Sequence, residues 1–122
     1  MGKRILVIED TEDNRQIIRD LLTSFDYELL EAVDGAEGVA MAEAHHPDLI
    51  LMDIQLPVLD GYEATRRIRA IPELAEVPII EVTSYALSGD EAKTREAGCD
   101  GYIAKPFSPR QLLAKVREFL PE

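Results

Sequence analysis

Short continuous apolar runs alternate along this chain with stretches whose apolar residues recur at helical spacing. Ile5-Leu6-Val7-Ile8 is unbroken by any polar residue and is closed by Glu9-Asp10, the pattern of a strand buried on both faces. Ile17, Ile18, Leu21, Leu22 and Phe25 then recur at helical spacing and predict a helix with one buried face. Tyr27 to Val33 reads as a second strand, less apolar and therefore nearer a sheet edge. Ala36, Val39, Ala40 and Ala44 suggest a small-residue helix that stops before His45-His46-Pro47. Leu49-Ile50-Leu51-Met52 is the second strongly apolar run, closed by Asp53.

A loop containing Pro57 follows, and Asp60-Gly61-Tyr62-Glu63 opens a helix, with Asp60 as N-cap and Glu63 completing a capping-box-like pair. Val77 to Val82 predicts a fourth strand, closed by Thr83-Ser84. Ser88-Gly89-Asp90-Glu91 is another capping-box signature, and Gly98 is placed to stop that helix. Tyr102-Ile103-Ala104 is a short fifth strand closed by Lys105-Pro106. Ser108-Pro109-Arg110-Gln111 starts the last helix, with proline at its first position and Leu112, Leu113, Val116, Phe119 and Leu120 as its apolar stripe.

The chain therefore reads as five β-α units in one domain, residues 1–122, without repeat or low-complexity segment. Buried strands separated by helices imply an α/β fold with a parallel sheet and right-handed crossovers. In such open sheets ligands bind beyond the carboxyl ends of the strands.

Composition narrows the function without naming it. At 122 residues and 46% hydrophobic the chain has material for one core. A formal charge of −11 argues against binding DNA, RNA or an anionic membrane surface, which needs a basic face. Cys99 stands alone, so an internal disulfide and a cysteine metal cluster are both excluded, and a buried thiol is expected. Neither a signal peptide nor an apolar stretch long enough for membrane insertion is recognisable, so the chain reads as cytoplasmic.

Four of the five apolar runs end on residues suited to metal or phosphate chemistry: Glu9-Asp10, Asp53, Thr83-Ser84 and Lys105. Parallel strands send all of these to one edge of the sheet. Three carboxylates held together repel one another unless a cation neutralises them. A hard ion such as Mg²⁺ takes oxygen ligands and needs only one or two carboxylates from protein. A carboxylate can itself attack phosphorus, and phosphoryl transfer then depends on charge stabilisation, which a cation, the Lys105 ammonium and the Thr83 hydroxyl can supply. No glycine-rich phosphate loop competes for this role.

With these pieces in place the chain resembles the receiver domain of two-component response regulators, the CheY-like superfamily. The resemblance rests on Ile-Leu-Val-Ile-Glu-Asp (5–10), Asp-Leu-Ile-Leu-Met-Asp-Ile-Gln-Leu-Pro (48–57), Asp60-Gly61, Val82-Thr83 and Gly-Tyr-Ile-Ala-Lys-Pro-Phe (101–107), and spans essentially the whole chain. It implies the flavodoxin-like strand order 2-1-3-4-5, which periodicity alone does not yield. It further implies that Asp53 accepts the phosphoryl group, that Asp10, Asp53 and the Gln55 carbonyl bind Mg²⁺ with Glu9 acting through water, and that Thr83 and Lys105 contact the phosphoryl oxygens. Tyr102 resembles the family's aromatic switch, and Lys105-Pro106 its cis peptide. The implied protein is a phosphoacceptor switch of a phosphorelay. It takes phosphate from a histidine kinase or a histidine phosphotransfer protein docked near Asn14, Arg15 and Ile18. It then signals to a downstream protein through the fourth helix, fifth strand and fifth helix, and catalyses only its own phosphorylation and dephosphorylation.

Several positions depart from that pattern or stand outside it. Glu9 replaces a common Asp, Ser84 a common Ala, and Gln55 and Tyr85 occupy variable positions that would tune phosphoryl lifetime. Glu81 lies mid-strand, where an unpaired charge is costly, so either the strand faces solvent there or a basic partner such as Lys105 or an Arg reaches it. The helix expected over Ser88–Ala97 has only Ala92 and Ala97 as apolar anchors, which suits either a movable switch element or a short exposed helix. His45 and His46 read as a helix C-terminal region, and Arg66, Arg67 and Arg69 as a solvated face. Two other functions compete with the switch. An aspartate-dependent phosphatase would need a general acid and a substrate-enclosing cap, and a receiver-like binding module that takes no phosphate has no need of all five of Glu9, Asp10, Asp53, Thr83 and Lys105.

Overall fold

In a computed structural model, which describes residues 3–54, 56–83, 96–105 and 107–120, the chain forms a five-stranded parallel sheet in the order β2-β1-β3-β4-β5. The elements are β1 (Arg4–Ile8), α1 (Glu12–Thr23), β2 (Glu28–Ala32), α2 (Gly35–His45), β3 (Leu49–Asp53), α3 (Gly61–Arg69), a 3-10 turn (Pro72–Leu74), β4 (Ile79–Thr83), β5 (Gly101–Ala104) and a C-terminal helix (Pro109–Phe119). The expected α/β class and strand order are both met. Gln55, Ser84, Tyr85, Pro106 with its expected cis peptide, and most of the helix expected over Ser88–Ala97 lie outside the described residues.

Alternation along the strands builds two cores on one sheet. Ile5 and Val7, Leu49 and Leu51, and Ile80 and Val82 face α1 and the C-terminal helix, packing with Ile18, Leu22, Leu112 and Val116. Leu6 and Ile8, Ile50 and Met52, and Ile79 face α2 and α3, packing with Ala42, Ala64 and Ile68. The register Ile5↔Leu49 and Ile50↔Ile79 keeps like faces together across the strands. Each fully buried Ile or Leu contributes about 1.5–3 kcal/mol, so the central strands are anchored from both sides. β2 is an edge strand with a half-exposed face, as its weaker apolar pattern predicts.

Local chemistry sets the helix ends. Ser108 and Gln111 complete a reciprocal capping box around Pro109. Asp60 accepts from the Glu63 amide at 2.9 Å, while the Glu63 carboxylate turns to Arg66 and Arg67. Asp34 caps α2 by accepting from the Glu37 amide, and the Glu37 carboxylate accepts from Val33 N, a capping signature the sequence reading overlooked. His46 adopts a left-handed conformation after α2, as its place at the helix end suggests, and Gly98 does so at φ 109°. The lone thiol of Cys99 is buried.

Two expectations fail here. Of the apolar stripe expected to form one buried face, only Ile18 and Leu22 are buried, while Ile17 is 56% exposed and Phe25, beyond the end of α1, 43%. The i, i+4 pair takes the core-facing line, and Ile17, rotated about a quarter turn from it, opens toward solvent. The run Arg66, Arg67, Arg69 is likewise not one solvated face. Arg66 and Arg67 pair with Glu63 on the surface, whereas Arg69 turns inward and donates to the carbonyls of Gly98, Leu74 and Val77 and to Asp100.

Candidate functional site

The carboxyl ends of β1, β3, β4 and β5 bring the expected residues to one edge. Glu9 follows β1 directly, its amide donating to Ala32 O at 3.0 Å, so the ladder carries it into a buried position with 3% exposure. Its carboxylate accepts from Thr11 N at 3.1 Å and Asn14 Nδ2 at 3.4 Å. Thr11 is the N-cap of α1 but makes no side-chain cap of its own. Glu9 therefore supplies a negative charge at that positive helix end. Arg15 Nη1 donates to the Glu9 carbonyl at 2.8 Å and is itself held by Glu12 and Glu31, bracing the turn that presents Glu9 and Asp10.

Asp53 is the last residue of β3 and is 5% exposed. Lys105 Nζ reaches its Oδ2 at 3.1 Å and Glu9 Oε1 at 3.5 Å. The Lys105 amide donates to Thr83 O at 2.7 Å, so the β4–β5 ladder itself delivers the lysine to this edge. Burial pulls the Lys105 ammonium toward its neutral form, but the Asp53 and then the Glu9 carboxylate outweigh it, and its pKa is raised. Asp10 is exposed, and one oxygen from each of Glu9, Asp10 and Asp53 lies within 4.8 Å of the others. Among the described residues three carboxylates thus face one ammonium, an arrangement short of positive charge.

Hard oxygen donors, two buried and one open to solvent, match a cation that takes oxygen ligands and keeps some of its water. These residues fit Mg²⁺. Thr83 closes β4 with 1% exposure, and the register Asp53↔Val82 sets it one residue beyond the strand partner of Asp53. Tyr102 is half-buried on β5. Gly61, at the first position of α3, donates its amide to Ile54 O at 2.9 Å. A Cβ there would come within 2.6 Å of Asp53 O and 2.7 Å of Ile54 Cα, so only glycine lets α3 seat against the backbone of Asp53. Beside the cluster a cleft of about 540 Å³ runs between α1 and the segment after β5, lined by Asn14, Ile17, Ile18, Lys105 and Phe107.

Glu81 overturns both expectations held for it. It is fully buried rather than solvent-facing, and a hydroxyl rather than a base meets it: Thr65 Oγ1 lies 2.8 Å from Glu81 Oε2. Oε1 is buried and without a partner among the described residues. Lys105 stands at the strand end with Asp53, and Arg69 is engaged at the other edge. Burial pushes the Glu81 carboxyl up to about 8, with the negative charges of Asp53 and Asp60 adding to it and the Thr65 hydroxyl opposing it.

Fold and site together define a class, the signalling receivers of two-component systems. The sequence matches the response regulator receiver domain over residues 5–117, and the chain belongs to that family. It is similar to the polar-differentiation response regulator DivK of Brucella ovis, 41% identical over 120 residues that cover 98% of each chain. Among solved structures it is similar to the receiver domain of the sensor histidine kinase PA1611 from Pseudomonas aeruginosa PAO1, with 41% identity, complete coverage of both chains and a TM-score of 0.92. That receiver domain holds a magnesium ion coordinated in its active site cleft. The chemotaxis response regulator CheY4 of Vibrio cholerae superposes with a TM-score of 0.94 at 27% identity, over 98% of this chain and 99% of that one. Among the described residues no helix is long and apolar enough to cross a membrane.

Proposed function

We propose that the chain is a single receiver unit over residues 1–122, a phosphoacceptor switch that takes a phosphoryl group onto Asp53. The observation that carries this reading is the Asp53 carboxylate itself, buried at the end of a central strand, 3.1 Å from Lys105 Nζ and grouped with Glu9 and Asp10. An Asp53 oxygen attacks phosphorus of a phosphohistidine, the P–N bond breaks and the imidazole leaves with its electron pair. Lys105 holds the acceptor in place before transfer and, with Thr83 and Ser84, meets the phosphoryl oxygens afterwards. Asp10, Asp53 and the Gln55 carbonyl would hold Mg²⁺, with Glu9 acting through water, and the ion would neutralise charge on the phosphoryl group. Tyr102 follows Thr83 as the aromatic reporter, and Gln55 and Tyr85 set how long the acyl phosphate survives.

The donor is a histidine kinase or a histidine phosphotransfer protein in the cytoplasm. The cleft beside Asn14, Ile17 and Ile18 opens next to Lys105, which favours docking there. Arg15 supports the site from within, since its guanidinium is committed to Glu9, Glu12 and Glu31. The output to a downstream protein runs through residues 88–97, β5 and the C-terminal helix, and the only chemistry catalysed is gain and loss of this one phosphoryl group.

The test is intact mass after incubation with Mg²⁺ and a small acyl phosphate donor. Wild type gains one phosphoryl group and Asp53→Asn gains none. Equal labelling of the two proteins, or no labelling of either, defeats the assignment.

A further inference from the structure

Glu81 is a fully buried carboxyl that the proposed chemistry does not use. The register Met52↔Glu81 and Glu81↔Tyr102 sets it on the α3 side of the sheet, among Met52, Ala64 and Ile68. The hydrogen-bond partner of its carboxyl among the described residues is the Thr65 hydroxyl, and that hydroxyl lies 2.8 Å from Gly61 O as well as 2.8 Å from Glu81 Oε2. A hydroxyl has one hydrogen, and a backbone carbonyl can only accept. With Glu81 ionised, Gly61 O and Glu81 Oε2 compete for the single Thr65 hydrogen; both short contacts are hydrogen bonds at once only when Glu81 carries a proton and donates it to Thr65 Oγ1. An ionised Glu81 would have to share that one hydrogen with Gly61 O and would leave Oε1 buried and unpaired among the described residues.

The charges around it agree. Asp53 from β3 and Asp60 from the N-cap of α3 are both negative. Tyr102 is its cross-strand neighbour on β5. On α3, Arg66 is paired with Glu63 and Arg69 with Asp100. The far end of the chain of bonds is Gly61, whose amide holds Ile54 O and whose Cα leaves no space for a side chain against Asp53 O.

We propose that Glu81, as a neutral acid, is a positioning residue for the phosphoacceptor: through Thr65 it pins the first residue of α3 against the Asp53–Ile54 backbone, and its ionisation releases that pin. The inference rests on the assignment of Asp53 as acceptor, and it makes phosphoacceptance sensitive to alkaline pH through a group that touches neither phosphate nor metal.

The test uses the full chain in two arms. In the unphosphorylated protein, carbon NMR follows the Glu81 carboxyl and amide NMR follows Gly61 from about pH 6 to about pH 9.5. The expected result is a Glu81 carboxyl still protonated at neutral pH and a Gly61 amide that shifts along the same curve, flat in Glu81→Gln. A Glu81 already ionised at about pH 6, or a Gly61 amide indifferent to it, overturns the proposal whatever Asp53 does. In the second arm, phosphorylation by a small acyl phosphate is timed over the same range. The wild-type rate falls several-fold relative to Glu81→Gln, which keeps the acid's shape and neutrality, and Thr65→Val loses the pH response along with part of the rate. Parallel wild-type and Glu81→Gln profiles overturn the positioning role. A failure of both to take phosphate at any pH sinks the Asp53 assignment instead, a result the first arm tells apart.

Discussion

The two edges of the sheet treat polar groups in opposite ways. At the amino edge, charges meet partners that complete them. Arg69 donates to the carbonyls of Leu74, Val77 and Gly98 and pairs with Asp100 at 2.6 Å, while Asp100 also accepts from Ile79 N. Arg4 donates to His45 O at the end of α2, and its amide to Asp48. Cations at the carboxyl ends of α2 and α3 also complement the helix dipoles. At the carboxyl edge, Glu9, Asp10 and Asp53 crowd around one lysine. One edge is closed for stability, and the other is left, among the described residues, short of positive charge, which is the condition for capturing a cation. A domain can carry such a deficit because the fold is secured elsewhere.

The largest expected effect tests the closed edge. Arg69→Ala leaves several partly buried carbonyls and Asp100 without their donor, and we expect a loss of about 4 kcal/mol in urea unfolding. Arg69→Lys recovers little of it, since one ammonium cannot reproduce a planar fork. A loss under about 1 kcal/mol would mean that water replaces the guanidinium and the edge is not closed in the sense argued.

How much of this contrast was legible beforehand differs by edge. The carboxyl edge was readable because parallel strands point one way, so the residue after each apolar run is sent to the same place. Glu9, Asp10, Asp53 and Lys105 followed from that geometry alone. The amino edge was not, since Arg69 differs from its surface neighbours Arg66 and Arg67 only in facing the turn before β4, and its carbonyl partners become neighbours through the crossover. Burial of Ile68 and Thr65 on the same helix was the signal available. Glu81 failed for a related reason: its partner lies sixteen residues earlier on α3, and strand alternation gives the face but not the depth.

The second effect lies between the edges and depends on pH. With its carboxyl pushed up to about 8, folded Glu81 binds its proton more tightly than the unfolded chain does. Its contribution is complete below the ordinary carboxyl range and is lost as pH rises through about 8, and the part of that loss falling above about pH 6 is about 3 kcal/mol. Glu31 runs the other way. Its hydrogen bond from Arg19 lowers its pKa, and that contribution disappears as pH falls. Urea midpoints from about pH 6 to about pH 9 should decline in wild type and stay nearly level in Glu81→Gln.

The third effect supplies the open edge with what it lacks. If Glu9, Asp10 and Asp53 hold Mg²⁺, the ion stabilises the folded chain by about 2.7 kcal/mol at a hundredfold excess over its dissociation constant. The unfolding temperature should therefore climb with the logarithm of Mg²⁺ concentration in wild type and respond far less in Asp53→Asn. An equal response in both would place the ion elsewhere.

The smallest effect compares the edges with one chemical change. Asp48 and Asp10 are both exposed carboxylates beside strand ends, Asp48 before β3 and Asp10 after β1. Asp48 accepts from the Arg4 amide at 2.8 Å, so Asp48→Asn weakens a charge-assisted bond and should cost about 0.5 kcal/mol. Asp10 stands within 4.8 Å of two other carboxylates, so Asp10→Asn relieves repulsion and should raise stability by about 0.5 kcal/mol without added metal. Saturating Mg²⁺ should reverse the second sign, because wild type then gains binding energy that the variant has given up, while Asp48→Asn keeps its small deficit. Two neutralisations of the same sign under every condition would show that the edges differ in composition but not in electrostatic balance.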